Sequence, residues 1–363
     1  MTDLFSPMDL RGLSLANRIW MSAMTRTRAT PDNVPTPLMA KYFAQRAAAG
    51  LIVTDCTAVS EQGKGVINGP GIWRQDQIEG WQTVTDAVHA AGGRIYCQLW
   101  HCGRVAHPDM RDGDMPVAPS PLPAEGKFKF ADHEADFPVP HELTNEEILA
   151  IIADFAQATS NAREAGFDGV ELHAANGYLH DQFLQDVSNN RSDEWGGPVE
   201  NRVRLILETI DAMADAWSME RVAIRLGPSI SLYGMGDSDP FAVFGHAVRE
   251  LDRRQVGYLT MLEPNQKDLE KGVAIPNVAK TFRAMTSVLF IANTGFDAAK
   301  GRAAVASGDV DAVAYGTLFL ANPDVVARFA ADTQTFNAPD PSTFYGTGPE
   351  GYTDYPTLDP EAG

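Results

Sequence analysis

Short apolar segments alternate with longer amphipathic segments along most of the chain. Each apolar run has the length and composition of a buried strand, and in most cases a segment with apolar residues at helical spacing follows it. The clearest such segment begins where Thr144 and Glu147 fit a capping box, followed by Ile148, Ile151 and Ile152 on one helical face. The predicted strands are Ile19–Met24, Leu51–Thr54, Ile95–Leu99, Gly169–Leu172, Val222–Leu226, Tyr258–Leu262, Val288–Ala292 and Ala312–Tyr315.

Eight strand–helix units in series predict an α/β fold of the closed (β/α)8 TIM-barrel type. An open doubly wound sheet is the alternative, and it would favour a glycine-rich turn after the first strand, which Met24-Thr25-Arg26-Thr27 does not provide. No linker or internal repeat interrupts the pattern, so we predict one domain over residues 1–363. The predicted helices cover Pro37–Ala49, Gln75–Ala91, the segments after Thr144 and Pro198, Phe241–Arg254, Asn277–Met285, Asp297–Ser307 and Asn322–Ala331.

One long irregular segment interrupts the alternation after the third predicted strand. It runs from His101 to Glu142, contains seven prolines and shows no clear periodicity. A loop of this length inside a compact domain usually has a function. We therefore predict that it caps the active face of the barrel.

Composition and charge narrow the classes of partner. The 363-residue chain has a formal net charge of −19, which disfavours nucleic acid and anionic membranes because both would repel it. Cys56, Cys97 and Cys102 form no C-x-x-C pair, so neither zinc nor an iron–sulfur cluster is indicated and we predict no metal. The N-terminus lacks a signal-peptide pattern, and no apolar run reaches the roughly eighteen residues of a membrane span. Together with the odd number of thiols, these features predict a cytoplasmic protein.

The carboxyl end of the fourth predicted strand carries the most informative chemistry. His173, Asn176 and Tyr178 place an imidazole, a carboxamide and a phenol at offsets of 0, 3 and 5. In one turn of helix or a tight loop the first two share a face, so two neutral donors could converge on one oxygen with a phenolic acid nearby. For these residues taken alone, a structural loop with a packed tyrosine is the alternative.

Other strand ends of the predicted barrel supply a complementary set of groups. Active sites of such barrels lie at the carboxyl ends of the strands, and the loops after strands seven and eight commonly bind phosphate through backbone N–H groups. Amide, guanidinium and hydroxyl groups with two glycine-bearing turns suit a planar heterocycle that has a phosphate tail. The residues at these ends are Ala23, Met24, Thr25, Cys56, Gln98, Trp100, Arg225, Asn293, Gly295, Phe296, Gly316 and Thr317.

A series of short motifs runs in order along nearly the whole chain. It includes Asn17-Arg18-Ile19, Gln98-Leu99-Trp100-His101, Ala165-Gly166-Phe167-Asp168, His173 through Leu179, Glu200-Asn201-Arg202 and Gly351-Tyr352-Thr353-Asp354-Tyr355-Pro356. Each motif is weak by itself, but the ordered series is highly specific. It resembles the Old Yellow Enzyme family of FMN-dependent ene-reductases, and within it the bacterial branch with pentaerythritol tetranitrate and N-ethylmaleimide reductases.

The resemblance implies tightly bound, non-covalent FMN and NAD(P)H as the hydride donor. It further implies a ping-pong cycle in which hydride passes to α,β-unsaturated carbonyl or nitro compounds. Arg225 would stabilise the reduced flavin, Thr25 would bind its O4 and Gln98 its pyrimidine edge. The remaining implied cofactor contacts are Ala23, Met24, Cys56, Asn293, Gly295, Phe296, Gly316 and Thr317.

The same resemblance implies the catalytic roles. His173 and Asn176 would bind the carbonyl or nitro oxygen of the alkene and stabilise the negative charge that develops there. Tyr178 would protonate the α-carbon as a general acid. Trp100 and Tyr345 would contact the substrate.

Two departures from the family pattern affect these expectations. Thr317 stands where the family usually has an arginine against the FMN phosphate, and because a hydroxyl cannot neutralise a phosphate, we expect looser FMN binding than in relatives. Val66 stands where a pocket aromatic is common, so substrate preference does not carry over.

Other activities remain open for a chain with these residues. A flavin NAD(P)H oxidase, or a quinone or nitrate-ester reductase, is one alternative. A flavin-free barrel isomerase or aldolase is another, although the strand ends show no lysine for it. The sequence does not choose between NADH and NADPH and does not indicate the physiological alkene or the oligomeric state.

Overall fold

Eight strands pair side by side in parallel and close into a barrel in a computed structural model that describes residues 2–130, 132–271 and 274–358. The last strand pairs with the first, with Tyr315 opposite Met21. The predicted (β/α)8 barrel is therefore confirmed. Its strands are β1 (Ile19–Met21), β2 (Ile52–Ala58), β3 (Ile95–Trp100), β4 (Gly169–Ala174), β5 (Val222–Leu226), β6 (Leu259–Leu262), β7 (Phe290–Asn293) and β8 (Ala312–Tyr315).

Helices connect the strands and pack around the barrel. Several are shorter than the sequence predicts: the first ends at Ala44 rather than Ala49, and the last begins at Val325, after Pro323, rather than at Asn322. Proline lacks the N–H that a continuous helix needs. The described helices are α1 (Pro37–Ala44), α2 (Gln75–Ala90), α3 (Asn145–Glu164), α4 (Leu179–Leu184), α5 (Val199–Ala216), α6 (Pro240–Arg254), α7 (Gln266–Glu270), α8 (Val278–Phe282), α9 (Ala298–Ser307), α10 (Thr317–Ala321) and α11 (Val325–Ala330).

Two strand boundaries differ from the prediction in ways that shape the functional end of the barrel. Strand β1 ends at Met21, so Ala23 and Met24 leave the sheet. Strand β2 continues to Ala58, and a register shift between Val53 and Cys56 brings Cys56 opposite Gln98 on β3. An irregularity of this kind re-aims side chains at the rim of a barrel.

The amino-terminal end of the barrel is closed by apolar packing. Two short antiparallel strands, Met8–Leu10 and Leu13–Leu15, pack against Trp20, Tyr96 and Tyr258 inside the barrel. The rings of Trp20 and Tyr258 meet edge to face with centroids 5.0 Å apart. At the opposite, carboxyl end the strands carry polar residues, and this is the end where a ligand could bind.

The long loop after β3 forms small sheets of its own. Strands Lys127–Lys129 and Glu134–Asp136 pair antiparallel, and Val117–Ala118 pairs with His141–Glu142. Phe128 is buried and lines the large cavity at the carboxyl end of the barrel. The described part of the loop therefore lies over the face that the sequence predicts it to cap.

The carboxyl-terminal segment is tied to the same end of the barrel by two buried arginines. Arg26 donates to the carbonyls of Phe344 (3.0 Å) and Gly351 (2.7 Å), and Arg28 donates to the carbonyl of Thr343 (2.9 Å). Tyr352 stacks on Tyr42 of α1 with ring centroids 4.0 Å apart. These contacts hold the segment across the barrel mouth.

Candidate active site

The carboxyl ends of the barrel strands surround two neighbouring cavities. The larger has a volume of about 830 Å³ and is walled by strand ends, the long loop and the carboxyl-terminal segment. The smaller, of about 400 Å³, lies beyond the ends of β7 and β8. Ala23 and Arg225 line both cavities, so one elongated ligand could occupy the two together.

Almost every predicted site residue lines one of these cavities. The larger is lined by Ala23, Thr25, Cys56, Gln98, His173, Asn176, Tyr178, Arg225 and Tyr345. The smaller is lined by Ala23, Met24, Arg225, Asn293, Gly295, Phe296, Gly316 and Thr317.

Trp100 is the exception among the predicted site residues. It lines neither cavity and is almost fully buried in a cluster with Cys56, Ala58 and Cys102. Its ring packs edge to face against Tyr178 with centroids 5.1 Å apart. The prediction that Trp100 contacts substrate is therefore corrected: the indole supports Tyr178 from behind.

His173 is held as a neutral hydrogen-bond donor. The backbone N–H of Ala175 donates to its Nδ1 over 3.3 Å, which leaves the ring proton on Nε2. Burial, followed by the positive charge of Arg225, lowers the pKa of the imidazole well below its usual range. A neutral Nε2–H can therefore donate to an oxygen in the cavity.

A left-handed turn carries Asn176 and aims Tyr178. Asn176 and Gly177 have φ values of 59° and 79°. The N–H of Gly177 donates to Asp181 Oδ2 over 2.8 Å, and Gln182 Nε2 donates to the carbonyl of Gly177 over 2.7 Å. The sequence places these donors in a helical turn or tight loop, and the structure has the tight loop.

Tyr178 lies against the ring of His173, with centroids 4.9 Å apart. Burial is the main cause that raises the pKa of its hydroxyl well above the usual range. The phenol is therefore protonated at any working pH and is available as a proton donor.

Arg225 is held by neutral groups rather than by a structural ion pair. Its Nη1 donates to Ser22 Oγ over 2.9 Å and its Nη2 to Asn293 Oδ1 over 3.1 Å. Its Nε is buried and has no hydrogen-bond partner within the described part of the chain. A donor buried without a partner is costly, so this guanidinium is suited to an anionic or carbonyl-bearing ligand.

Gln98 belongs to a buried polar layer beneath the large cavity. Its Nε2 donates to Glu171 Oε1 over 2.7 Å, and Cys56 Sγ donates to its Oε1 over 3.3 Å. Thr260 Oγ1 donates to Glu171 Oε2 over 3.0 Å. Burial raises the pKa of the Cys56 thiol to about 12, so the thiol is neutral.

Sequence reasoning missed three of these supporting residues, Ser22, Glu171 and Thr260. Each is a polar residue in or beside an apolar strand. Glu171 and His173 also alternate on β4, which places them on the same face of the strand. That alternation is the signal that could have identified Glu171.

The smaller cavity has the backbone shape of an anion site. Thr294 and Gly295 have φ values of 78° and 75°, and the turn leads into α9. Asn293 Nδ2 donates to the carbonyl of Ala314 over 2.5 Å and so joins the ends of β7 and β8. Thr317 stands at the start of α10, and Arg225 is the one basic residue among the described residues of this lining. Among the described residues, no group of His, Cys, Asp or Glu could hold a metal.

Residues 3–335 match the family described as the NADH:flavin oxidoreductase / NADH oxidase family. The chain belongs to this family. The resemblance to the Old Yellow Enzyme family is thereby confirmed, and a solved Old Yellow Enzyme homologue is among the structural matches. The protein is an FMN-dependent oxidoreductase.

Individual members of the NADH:flavin oxidoreductase family match over almost their whole length. The 12-oxophytodienoate reductase 2 of Arabidopsis thaliana is 39% identical over 367 residues, covering 99% of this chain and 96% of that protein. The "Probable flavin mononucleotide-dependent alkene reductase" of Leishmania infantum is 38% identical over 361 residues, covering 98% and 97%. The structure of morphinone reductase in complex with tetrahydroNAD has a TM-score of 0.93 and 43% identity, covering 100% and 99%.

Proposed function

We propose that this oxidoreductase reduces the C=C bond of α,β-unsaturated carbonyl and nitro compounds at the expense of NAD(P)H, in two successive half-reactions. The observation that carries the proposal is the arrangement at the end of β4. Two neutral donor residues, His173 and Asn176, line the same cavity as the protonated phenol of Tyr178. Such a set binds and protonates an electron-poor alkene, whereas an oxidase that passes electrons to oxygen needs none of it.

The residues of the two cavities fit FMN. Arg225 offers an unpartnered buried N–H between them, Gln98 and Thr25 offer polar groups to a ring edge, and the Thr294–Gly295 turn offers backbone to a phosphate. Bound FMN would supply the hydride-transfer chemistry that links NAD(P)H to the alkene. A fixed cation at Arg225 favours the reduced, anionic form of such a ring.

His173 and Asn176 would bind the carbonyl or nitro oxygen of the substrate. Donors fixed where negative charge develops stabilise the transition state, and removal of one such donor typically costs about 10² to 10³ in rate. The buried position of His173 strengthens this effect because water competes little there.

Tyr178 would deliver a proton to the α-carbon. Its hydroxyl stays protonated because burial raises its pKa, and the rings of His173 and Trp100 fix its position. A positioned general acid of this kind contributes typically about 10² to 10⁴ in rate.

Aromatic side chains form the outer wall of the larger cavity and favour apolar alkenes. Four of them come from the long loop and from the segment after β5, and Tyr345 comes from the carboxyl-terminal segment. Val66 also lines this cavity, and it is smaller than the aromatic residue that the resemblance leads us to expect there. The four from the loop and the segment after β5 are Phe128, Phe130, Phe137 and Tyr233.

A two-step anaerobic titration tests the proposed function. Purified protein should be yellow, and NADPH should bleach the flavin absorbance. Cyclohexenone should then restore it. If oxygen or quinone restores the flavin absorbance but no enone does, the oxidase is favoured. If the purified protein is colourless and does not bind added FMN, a flavin-free enzyme is favoured. A nitrate ester in the second step tests the related side activity.

We also propose the cellular setting of the reaction. Among the described residues, no helix has the length and apolarity to cross a bilayer. The three cysteines of the protein are buried and form no disulfide. We place the enzyme in the cytoplasm, acting on small molecules, with both NADH and NADPH as candidate donors.

A further inference from the structure

A buried carboxylate lies beneath the large cavity, and the proposed mechanism does not use it. Glu171 is 2% exposed and belongs to the polar layer that includes Gln98 and Thr260. Ala223 stands opposite Glu171 on the intervening strand β5. Thr260, on the next strand β6, donates to Glu171 across β5. The strands thus build a place for this carboxylate, because an ionised group inside a barrel needs donors around it.

The contact with Glu171 fixes the orientation of the Gln98 amide. A carboxylate only accepts hydrogen bonds, so the NH2 group of Gln98 must face Glu171 and its carbonyl must face the other way. The thiol of Cys56 donates to that carbonyl, consistent with this orientation. Gln98 also lines the cavity. These two contacts select one of the two flipped orientations of the amide. The remaining N–H and the carbonyl lone pair of Gln98 therefore face a ligand in one fixed arrangement.

Glu171 also faces the charge of Arg225. The two residues lie on neighbouring strands, and Arg225 is two residues beyond Ala223, the register partner of Glu171. Burial raises the pKa of Glu171, and the positive charge of Arg225 opposes that rise most strongly among the neighbouring groups. Charges inside a protein interact more strongly than in water. The negative charge of Glu171 consequently offsets part of the field that Arg225 exerts on the cavity.

We propose that Glu171 is a positioning residue that orients Gln98 and offsets Arg225, and that it thereby keeps the flavin reduction potential lower than Arg225 alone would set it. The inference rests on FMN occupying the cavities as proposed above. A lower potential makes the reduced cofactor a stronger hydride donor to the alkene. Glu171 thus favours the second half-reaction over the first.

The decisive experiment compares Glu171→Gln with wild type in FMN-loaded protein. The substitution removes the charge and nearly conserves the shape. We expect the ratio of the Kd for oxidised FMN to that for reduced FMN to rise about tenfold, which is about 30 mV of positive shift for a two-electron couple. A spectroelectrochemical titration measures the potential, and Glu208→Gln, which removes an equal charge from the outer helix α5, should leave it unchanged.

Glu171→Asp separates the charge from the contact and serves if Glu171→Gln does not fold. It keeps the negative charge but withdraws the carboxylate from Gln98, so the potential should stay near wild type while the Kd for oxidised FMN rises several-fold. An unchanged potential in folded, yellow Glu171→Gln would overturn the inference. So would a shift in Glu171→Asp as large as in Glu171→Gln, because that would indicate a purely structural role. Wild-type protein that binds no FMN would instead refute the proposed function.

Discussion

Arg225 lies directly opposite His173 in the register between neighbouring barrel strands. One of these residues is a permanent cation and the other is an imidazole whose pKa is lowered by burial and then by that cation. The pair therefore combines one positive charge with one imidazole that is favoured in its neutral form. On the proposed function, Arg225 would stabilise the reduced cofactor while His173 would polarise the carbonyl of the substrate.

The first prediction concerns pH. An ordinary imidazole gains a proton near pH 6.5, and an ordinary phenol loses one near pH 10. Since the pKa of His173 is lowered and that of Tyr178 is raised, both titrations move out of the intervening range. We expect neither His173 nor Tyr178 to impose a step on the rate of the alkene half-reaction between about pH 6 and pH 9.5, as measured by stopped-flow with pre-reduced enzyme. Burial raises the pKa of Asp181, which accepts from the N–H of Gly177, to about 7. A sigmoid step near pH 6.5 that persists in Asp181→Asn would therefore show that His173 titrates normally.

The second prediction separates the half-reactions. Tyr178→Phe removes the hydroxyl and keeps the ring that contacts Trp100 and His173. Reduction of the flavin by NADPH should be nearly unchanged, while oxidation by cyclohexenone should slow by about 100-fold or more. Tyr233→Phe is the matched control, because Tyr233 also lines the cavity with its ring centroid 6.4 Å from that of Tyr178. Equal losses in both half-reactions would exclude Tyr178 as the proton donor.

The third prediction concerns the cofactor phosphate. Thr317 is exposed at the start of α10 and lines the smaller cavity. Thr317→Arg adds a cation there, and a charge-assisted bond to phosphate should lower the Kd for FMN about tenfold at low salt. The gain should shrink as ionic strength rises, because the site is exposed.

Thr317→Gln is the control for that experiment, since it adds length without charge. Fluorescence titration of apoprotein with FMN measures both variants. An equal gain in the two would attribute the effect to packing, and no gain in either would place the phosphate elsewhere.

The fourth prediction tests the turn that aims Tyr178. A Cβ at Gly177 would lie 3.0 Å from Met235 Cγ, in a backbone with φ of 79°. Gly177→Ala should lower the free energy of unfolding by about 1–3 kcal/mol and slow the alkene half-reaction. Gly12→Ala has a similar φ of 89° with nothing within 4 Å, so it should lower stability without affecting turnover. Thermal denaturation and stopped-flow measure the two effects separately.

The barrel and most of the site could be predicted because both follow from local pattern. Eight apolar runs indicate the strands, and in a barrel the ends of parallel strands meet in space. His173, Arg225 and Asn293 could therefore be brought together from positions far apart in the chain. The capping box at Thr144 was likewise predictable from local sequence and is confirmed: the N–H of Glu147 donates to Thr144 Oγ1 over 3.3 Å.

What could not be predicted depends on contacts between distant segments. Whether Trp100 faces the ligand or the core depends on the β2 register shift, which places Ala58 opposite Trp100 and packs the indole in a cluster with Cys56 and Cys102. The clamp of Arg26 on Phe344 spans more than three hundred residues, and no periodicity signals it. Glu171 sits in a run that otherwise indicates only a buried strand, so its role appears only once Gln98 and Thr260 are seen to surround it.

The apolar packing of Met8–Leu15 closes the amino-terminal end of the barrel and has a kinetic consequence. On the proposed function, coenzyme and alkene bind in the large cavity at the opposite end, which Tyr345 and Phe128 line. Coenzyme and alkene would therefore compete for the same space, and an excess of either one should inhibit the reaction of the other.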